Sequence, residues 1–146
     1  AIWKRLQSAH MTKAKAIMSA DDDTLRAAGL SRQKIRYARA LAASGIDFTR
    51  LRHCDDAEVI SVLTEVSGIG VWTAEIYAMF SLSRPDIFAP GDLALQEAAR
   101  SLFDLPQRPK ERALRQMAEA WSPWRSVAAR LLWAYYAVIK NKEGIA

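Results

Sequence analysis

The sequence predicts an all-α fold of several short helices packed in two lobes. Three observations carry this. No run of alternating β-branched or aromatic residues is bounded by turns, so strand signals are missing. Apolar residues recur at helical spacing along most of the chain. Each resulting helix carries an apolar stripe that must be buried on another.

Ser31 can cap a helix over about 32–43, with Ile35, Ala38 and Ala42 inward. Asp55 or Asp56 can cap one over about 56–65, with Val59, Ile60, Leu63 and Val66 in register. Trp72, Ile76, Met79 and Phe80 mark the next helix. Leu95, Ala98, Ala99, Leu102 and Phe103 mark another, and Leu114, Met117, Ala118 and Trp121 a further one. Val127, Leu131, Tyr135 and Val138 form the last stripe, on a helix that Pro123 can open. The segment from Arg84 to Gly91, with Pro85 and Pro90, is a loop that divides the chain into lobes at 1–84 and 85–146.

At 146 residues the chain has the length of one domain, and 51% apolar with 25% charged residues is a globular balance. No apolar run reaches the length of a membrane span, and the basic start at Lys4-Arg5 leads into no apolar signal region. A single cysteine, Cys54, excludes an intramolecular disulfide and a four-Cys metal or iron–sulfur cluster, and makes a reducing cytoplasmic setting the default. His10, His53 and Cys54 lack metal-ligand spacing. The net charge of +5 favours a polyanionic partner. Arg32, Arg36 and Arg39 make a basic stripe that reads as a solvated face, with phosphate contact as the other reading. Asp21-Asp22-Asp23 reads as a cap cluster, and the four methionines read as core filler.

Gly68-Ile69-Gly70 separates two amphipathic helices by a very short turn. Glycine permits positive φ and lets another backbone come close. The amides there and the first N–H groups of the next helix can seat a phosphate without reading sequence. Ile69 between the glycines should plug into the core. An ordinary helix connection with a glycine C-cap is the plain alternative.

The stretch Leu63-Thr64-Glu65-Val66-Ser67-Gly68-Ile69-Gly70-Val71-Trp72-Thr73-Ala74 resembles the helix-hairpin-helix of base-excision DNA glycosylases, closest to the 3-methyladenine DNA glycosylase II branch. The hairpin element covers about 56–81. Pro90-Gly91-Asp92 follows, with Asp92 standing 22 residues beyond Gly70, and so does Trp121-Ser122-Pro123-Trp124-Arg125-Ser126 with Trp133 after it. The resemblance spans about residues 20–140. It implies an active-site cleft between the lobes and double-stranded DNA with damaged bases as partner. The implied activity is a monofunctional hydrolysis of the N-glycosidic bond of alkylated purines such as 3-methyladenine. The protein would act as a monomer with no required cofactor, associated with the nucleoid if bacterial. A non-enzymatic hairpin module that grips DNA backbone is the alternative function.

Residue by residue, the resemblance implies that Asp92 stabilises an oxocarbenium ion and orients or activates water, where read alone it is a helix N-cap. Asp86 and Asp104 are rival acids that the resemblance passes over. Trp72 and Trp133, core residues on spacing alone, become pocket aromatics that favour a cationic purine. Gly68, Ile69 and Gly70 bind the DNA backbone. The main-chain carbonyls of Thr64, Val66 and Ile69 hold a monovalent or calcium-like cation. Trp72 stands where glycosylases with lyase activity carry a lysine, so water is the nucleophile. Ser67 replaces the proline common in that turn. A Gln-Gln-apolar-Ser helix and its base-stack wedge are expected before Trp3, and an N-terminal β domain occurs in some members. Neither is in this sequence, so the N-terminal part of the native protein is expected to be missing and excision by this stretch to be weak.

Overall fold

The structure, a computed structural model, describes residues 2–142, and Lys142 by its backbone alone. These residues form helices and no strand, as expected. In order they are α1 (Ile2–Ser8), α2 (Ala14–Ser19), α3 (Asp22–Ala27), α4 (Arg32–Ala43), α5 (Asp56–Thr64), α6 (Val71–Phe80), α7 (Leu93–Leu102), α8 (Glu111–Glu119) and α9 (Arg125–Lys142). A single 3-10 turn, Arg50–Arg52, precedes α5. No described helix is long and apolar enough to cross a membrane. The chain forms two compact units, Ala1–Gly70 and Val71–Ala146.

In the first unit, Ile17, Leu25 and Ile35 form the core where α2 and α3 pack on α4. Local chemistry sets the helix starts. Asp21, Ser31 and Asp55 each accept a backbone N–H three residues on, which satisfies a donor with no partner inside the helix. α5 buries Val59 and Leu63, and Val66 is buried just beyond it. Ile69 is only half-buried, so the expected plug into the core does not form.

The second unit holds α6 to α9, with α7 packed on α9 and α8. Ala98 and Ala99 on α7 and Ala129 on α9 are fully buried, and such small residues permit close helix approach. The face of α9 differs from the expected one. Val127, Leu131 and Val138 are exposed, while Ser126, Ala129 and Leu132 face inward. Apolar residues stand on more than one side of this helix, so spacing alone does not select its buried stripe. Leu102, Phe103 and Leu131 instead line a separate apolar pocket. On α6 the buried face carries Ala74, Glu75, Ala78 and Met79, and Trp72 and Phe80 are about half exposed.

The 84–91 loop lies inside the second unit, where it is tightly held. Ile87, Phe88, Ala89 and Pro90 are buried. The Ser126 amide donates to the Pro85 carbonyl at 2.9 Å. The Ser126 hydroxyl accepts the Ile87 N–H at 3.0 Å and lies 2.7 Å from the Arg84 carbonyl and 2.8 Å from that of Ile87. Arg125 grips Asp86 with Nε at 2.7 Å and Nη2 at 2.8 Å, and the Ser122 hydroxyl donates to the same carboxylate at 2.8 Å. Further on, the buried Gln96 amide donates to the Pro90 carbonyl at 2.8 Å. The loop expected to divide the lobes is thus clasped to the start of α9.

Hydrogen bonds from Arg125 hold the Asp86 carboxyl well below the usual carboxylate range, with further help from Ser122. Its folded value lies below its unfolded one, so the stability it adds is complete above roughly pH 4 and is lost as pH falls further. Asp86→Asn should lower the melting temperature by a few degrees at pH 7, a modest figure because the pair is partly solvated. The difference should shrink below pH 3 when melts are followed by circular dichroism.

Candidate active site

Asp92 ends the clasped loop and opens α7. Its Oδ1 accepts the Ala94 and Leu95 amides at 2.9 and 3.1 Å. The N-cap reading of this residue therefore holds. Two more donors converge on the same carboxylate. The Trp133 indole N–H reaches Oδ1 at 3.2 Å, and the Trp72 indole N–H reaches Oδ2 at 3.0 Å. Three helices thus fix one side chain: α6 through Trp72, α7 through its own N-terminus, and α9 through Trp133. Oδ1 is saturated by three donors, whereas Oδ2 carries one and keeps a lone pair for a water or a developing positive charge.

Trp72, Gly91, Asp92, Leu93, Ala94 and Tyr136 line a pocket of about 420 Å³. That volume lies within the range of small-ligand sites. Trp133 does not line it; its ring instead lies 5.7 Å from that of Phe80, centroid to centroid. The two tryptophans therefore differ: Trp72 both lines the pocket and bonds the acid, and Trp133 bonds the acid without lining it. Tyr136, one helical turn beyond Trp133, also lines the pocket.

The rival acids are placed elsewhere. Asp86 is committed to Arg125. Asp104 is exposed in a left-handed turn, φ 51°. A buried carboxylate that periodicity missed is Glu75, one turn beyond Trp72 on α6 and 5% exposed. Burial pushes its pKa up, opposed by the Arg115 guanidinium 3.0 Å away. Arg115 also bonds Glu111 at 3.3 Å, and a Cβ on Gly91 would lie 3.6 Å from the Glu111 carboxylate. Gly91 thus faces an acidic side chain.

In the first unit, Gly68 takes φ +93°. A Cβ there would overlap the Tyr37 ring, with Cγ at 2.2 Å, so glycine is required on both counts. Gly70 has open space around its Cα and no positive φ. The Ile69 N–H donates to the Val66 carbonyl at 3.0 Å and so closes the turn rather than facing a ligand. Among the described residues, the Gly68 and Gly70 amides have no backbone partner. The carbonyls of Thr64, Val66 and Ile69 are neutral oxygens that suit a hard cation, with one lone pair of Val66 already used by Ile69. Groups of three or more His, Cys, Asp or Glu fit to hold a metal do not occur among the described residues.

Comparison with known proteins places these features among relatives. Residues 1–123 match the family model described as HhH-GPD superfamily base excision DNA repair protein. DNA-3-methyladenine glycosylase 1 of Schizosaccharomyces pombe is 34% identical over 122 residues, covering 80% of this chain and 54% of that protein. A crystal structure of DNA-3-methyladenine glycosidase from Bacillus halodurans superposes with a TM-score of 0.83 at 34% identity, covering 97% of this chain and 68% of the other. A structure of the Schizosaccharomyces pombe 3-methyladenine DNA glycosylase in complex with abasic DNA gives 0.80 at 30% identity, covering 91% and 69%. The chain spans about half the length of the curated relatives it matches.

The cap has a direct consequence for stability. Asp92→Ala should lose about 0.5–2 kcal/mol of unfolding free energy. Asp92→Asn keeps an oxygen for the α7 amides and should stay closer to the parent, giving up chiefly the Trp72 bond. Denaturant melts of the three proteins check this order.

Proposed function

Starting from the fact that the chain belongs to the HhH-GPD superfamily of base excision DNA repair proteins, we propose that it carries the catalytic machinery of a monofunctional DNA glycosylase. The substrate is an alkylated purine such as 3-methyladenine in duplex DNA, as the names of its relatives suggest. One observation supports this reading above the rest: a carboxylate anchored by two indoles and a helix N-terminus lines a pocket together with Trp72 and Tyr136.

The target base must leave the stack to be reached, and the pocket receives it against the Trp72 face. An alkylated purine carries positive charge, which an aromatic face attracts by about 0.5–2 kcal/mol. That charge also makes the base a good leaving group. The bond between sugar C1′ and the base nitrogen breaks, and the base departs as a neutral molecule with the electron pair. Positive charge then resides on the sugar. The Asp92 carboxylate stabilises it, most strongly where water is scarce. A water molecule adds to C1′ and gives its proton to Asp92, which leaves an abasic sugar. Trp72 stands where a lyase would need an amine, so the strand is not cut.

The Gly68 and Gly70 amides hold a DNA phosphate without reading sequence. The carbonyls of Thr64, Val66 and Ile69 would hold a monovalent or calcium-like cation, whose positive charge favours a phosphate there. No step of base release passes through it. The protein works wherever the cell keeps its DNA.

With methylated duplex DNA, Asp92→Asn should cut single-turnover base release by at least about a hundredfold and leave duplex affinity unchanged or higher. Parent-like excision by this variant contradicts the assignment. A parent chain that binds duplex DNA yet releases no alkylated base points instead to a hairpin module without catalysis.

A further inference from the structure

The basic stripe of α4 does not behave as one solvated face. Arg39 is taken up by the protein's own groups, bonding the Asp22 carboxylate and the Ala20 carbonyl at 2.7 and 2.9 Å. Arg36 is exposed and points elsewhere: its guanidinium carbon lies 5.4 Å from the centroid of the Tyr37 ring. That ring is the one that fills the space beside Gly68, leaving no room for a Cβ. The Gln33 side-chain amide donates to the Tyr37 hydroxyl at 2.7 Å and fixes the ring from its far end. α4 itself contains no acidic residue that would compete for Arg36.

We propose that Arg36, carried on the Tyr37 ring that backs the Gly68 turn, is a second phosphate-binding group that grips a duplex DNA backbone beside the hairpin. The inference rests on the DNA reading above and extends its grip from backbone amides to a side chain. The physical case has three parts. A guanidinium presents a planar fork that matches phosphate oxygens, which an ammonium does not. An aromatic face beneath it limits its rotamers, so less entropy is lost on binding than for a free surface arginine. The Tyr37–Gly68 contact ties this cation to the turn that offers the Gly68 and Gly70 amides, so amide dipoles and a full charge act on one stretch of strand.

The test is duplex binding titrated against salt. For the parent, log affinity should fall linearly with log salt. Arg36→Gln should reduce that slope by about one and weaken binding at moderate salt by about tenfold. Arg36→Lys should keep the slope while losing part of the affinity. Lys13→Gln, an exposed charge in the same unit, should alter the affinity by less than about twofold and keep the slope. An unchanged slope in Arg36→Gln overturns the proposal, as does an equal loss in Lys13→Gln. The readout is affinity for undamaged duplex, so it stands apart from catalysis. Were Asp92→Asn to keep excising, the activity assignment would fall while the slope still judged Arg36. A parent chain without salt-dependent binding overturns both.

Discussion

The second unit is organised around a single carboxylate with four N–H donors. Asp92 accepts two backbone amides from α7 and one indole each from α6 and α9. Removing any donor leaves a worse-satisfied anion, which costs free energy even for a half-buried carboxylate. The arrangement therefore constrains α6, α7 and α9 together. On the proposed function, it lets Asp92 be a structural cap and a chemical group at once. The cap fixes the side chain at the N-terminus of α7, the indoles orient it, and one oxygen keeps capacity to act.

What delivers Asp92 is the loop before it. Arg125 and Ser126 hold that loop at Arg84, Pro85, Asp86 and Ile87, and Gln96 holds it at Pro90. A pre-organised group loses little free energy to reorganisation when charge develops beside it. The Trp124-Arg125-Ser126 block, recognisable in sequence only as a likeness, thus has a mechanical reason to stand where it does. Two of its three residues clasp the loop, while Trp124 remains exposed.

Much of this was legible in the chain because much of it is local. The caps at Asp21, Ser31 and Asp55 depend on a side chain and an amide three residues away, and they form as expected. The Gly68 turn needs positive φ, which glycine advertises. Features that depend on distant partners were hidden. Helical spacing on α9 pointed to Val127 and Leu131, because nothing in an apolar helix says which side meets α7. Glu75 is buried through Arg115, forty residues away in sequence. Trp72 and Trp133 read as aromatic faces, yet their indole nitrogens make the decisive contacts, and periodicity carries no information about where a ring nitrogen points. Ile69 looked like a core anchor, whereas Leu63 and Val66 do that work.

The central claim is that the indole N–H groups, beyond the aromatic faces, make Asp92 competent. Single-turnover base release by Trp133→Phe measures this most directly, because phenylalanine keeps an aromatic ring while removing the donor to Oδ1. A fall of about tenfold or more with duplex affinity intact is the result predicted here. A rate equal to the parent's would mean that the Trp133 donor is dispensable and the account of the site is wrong.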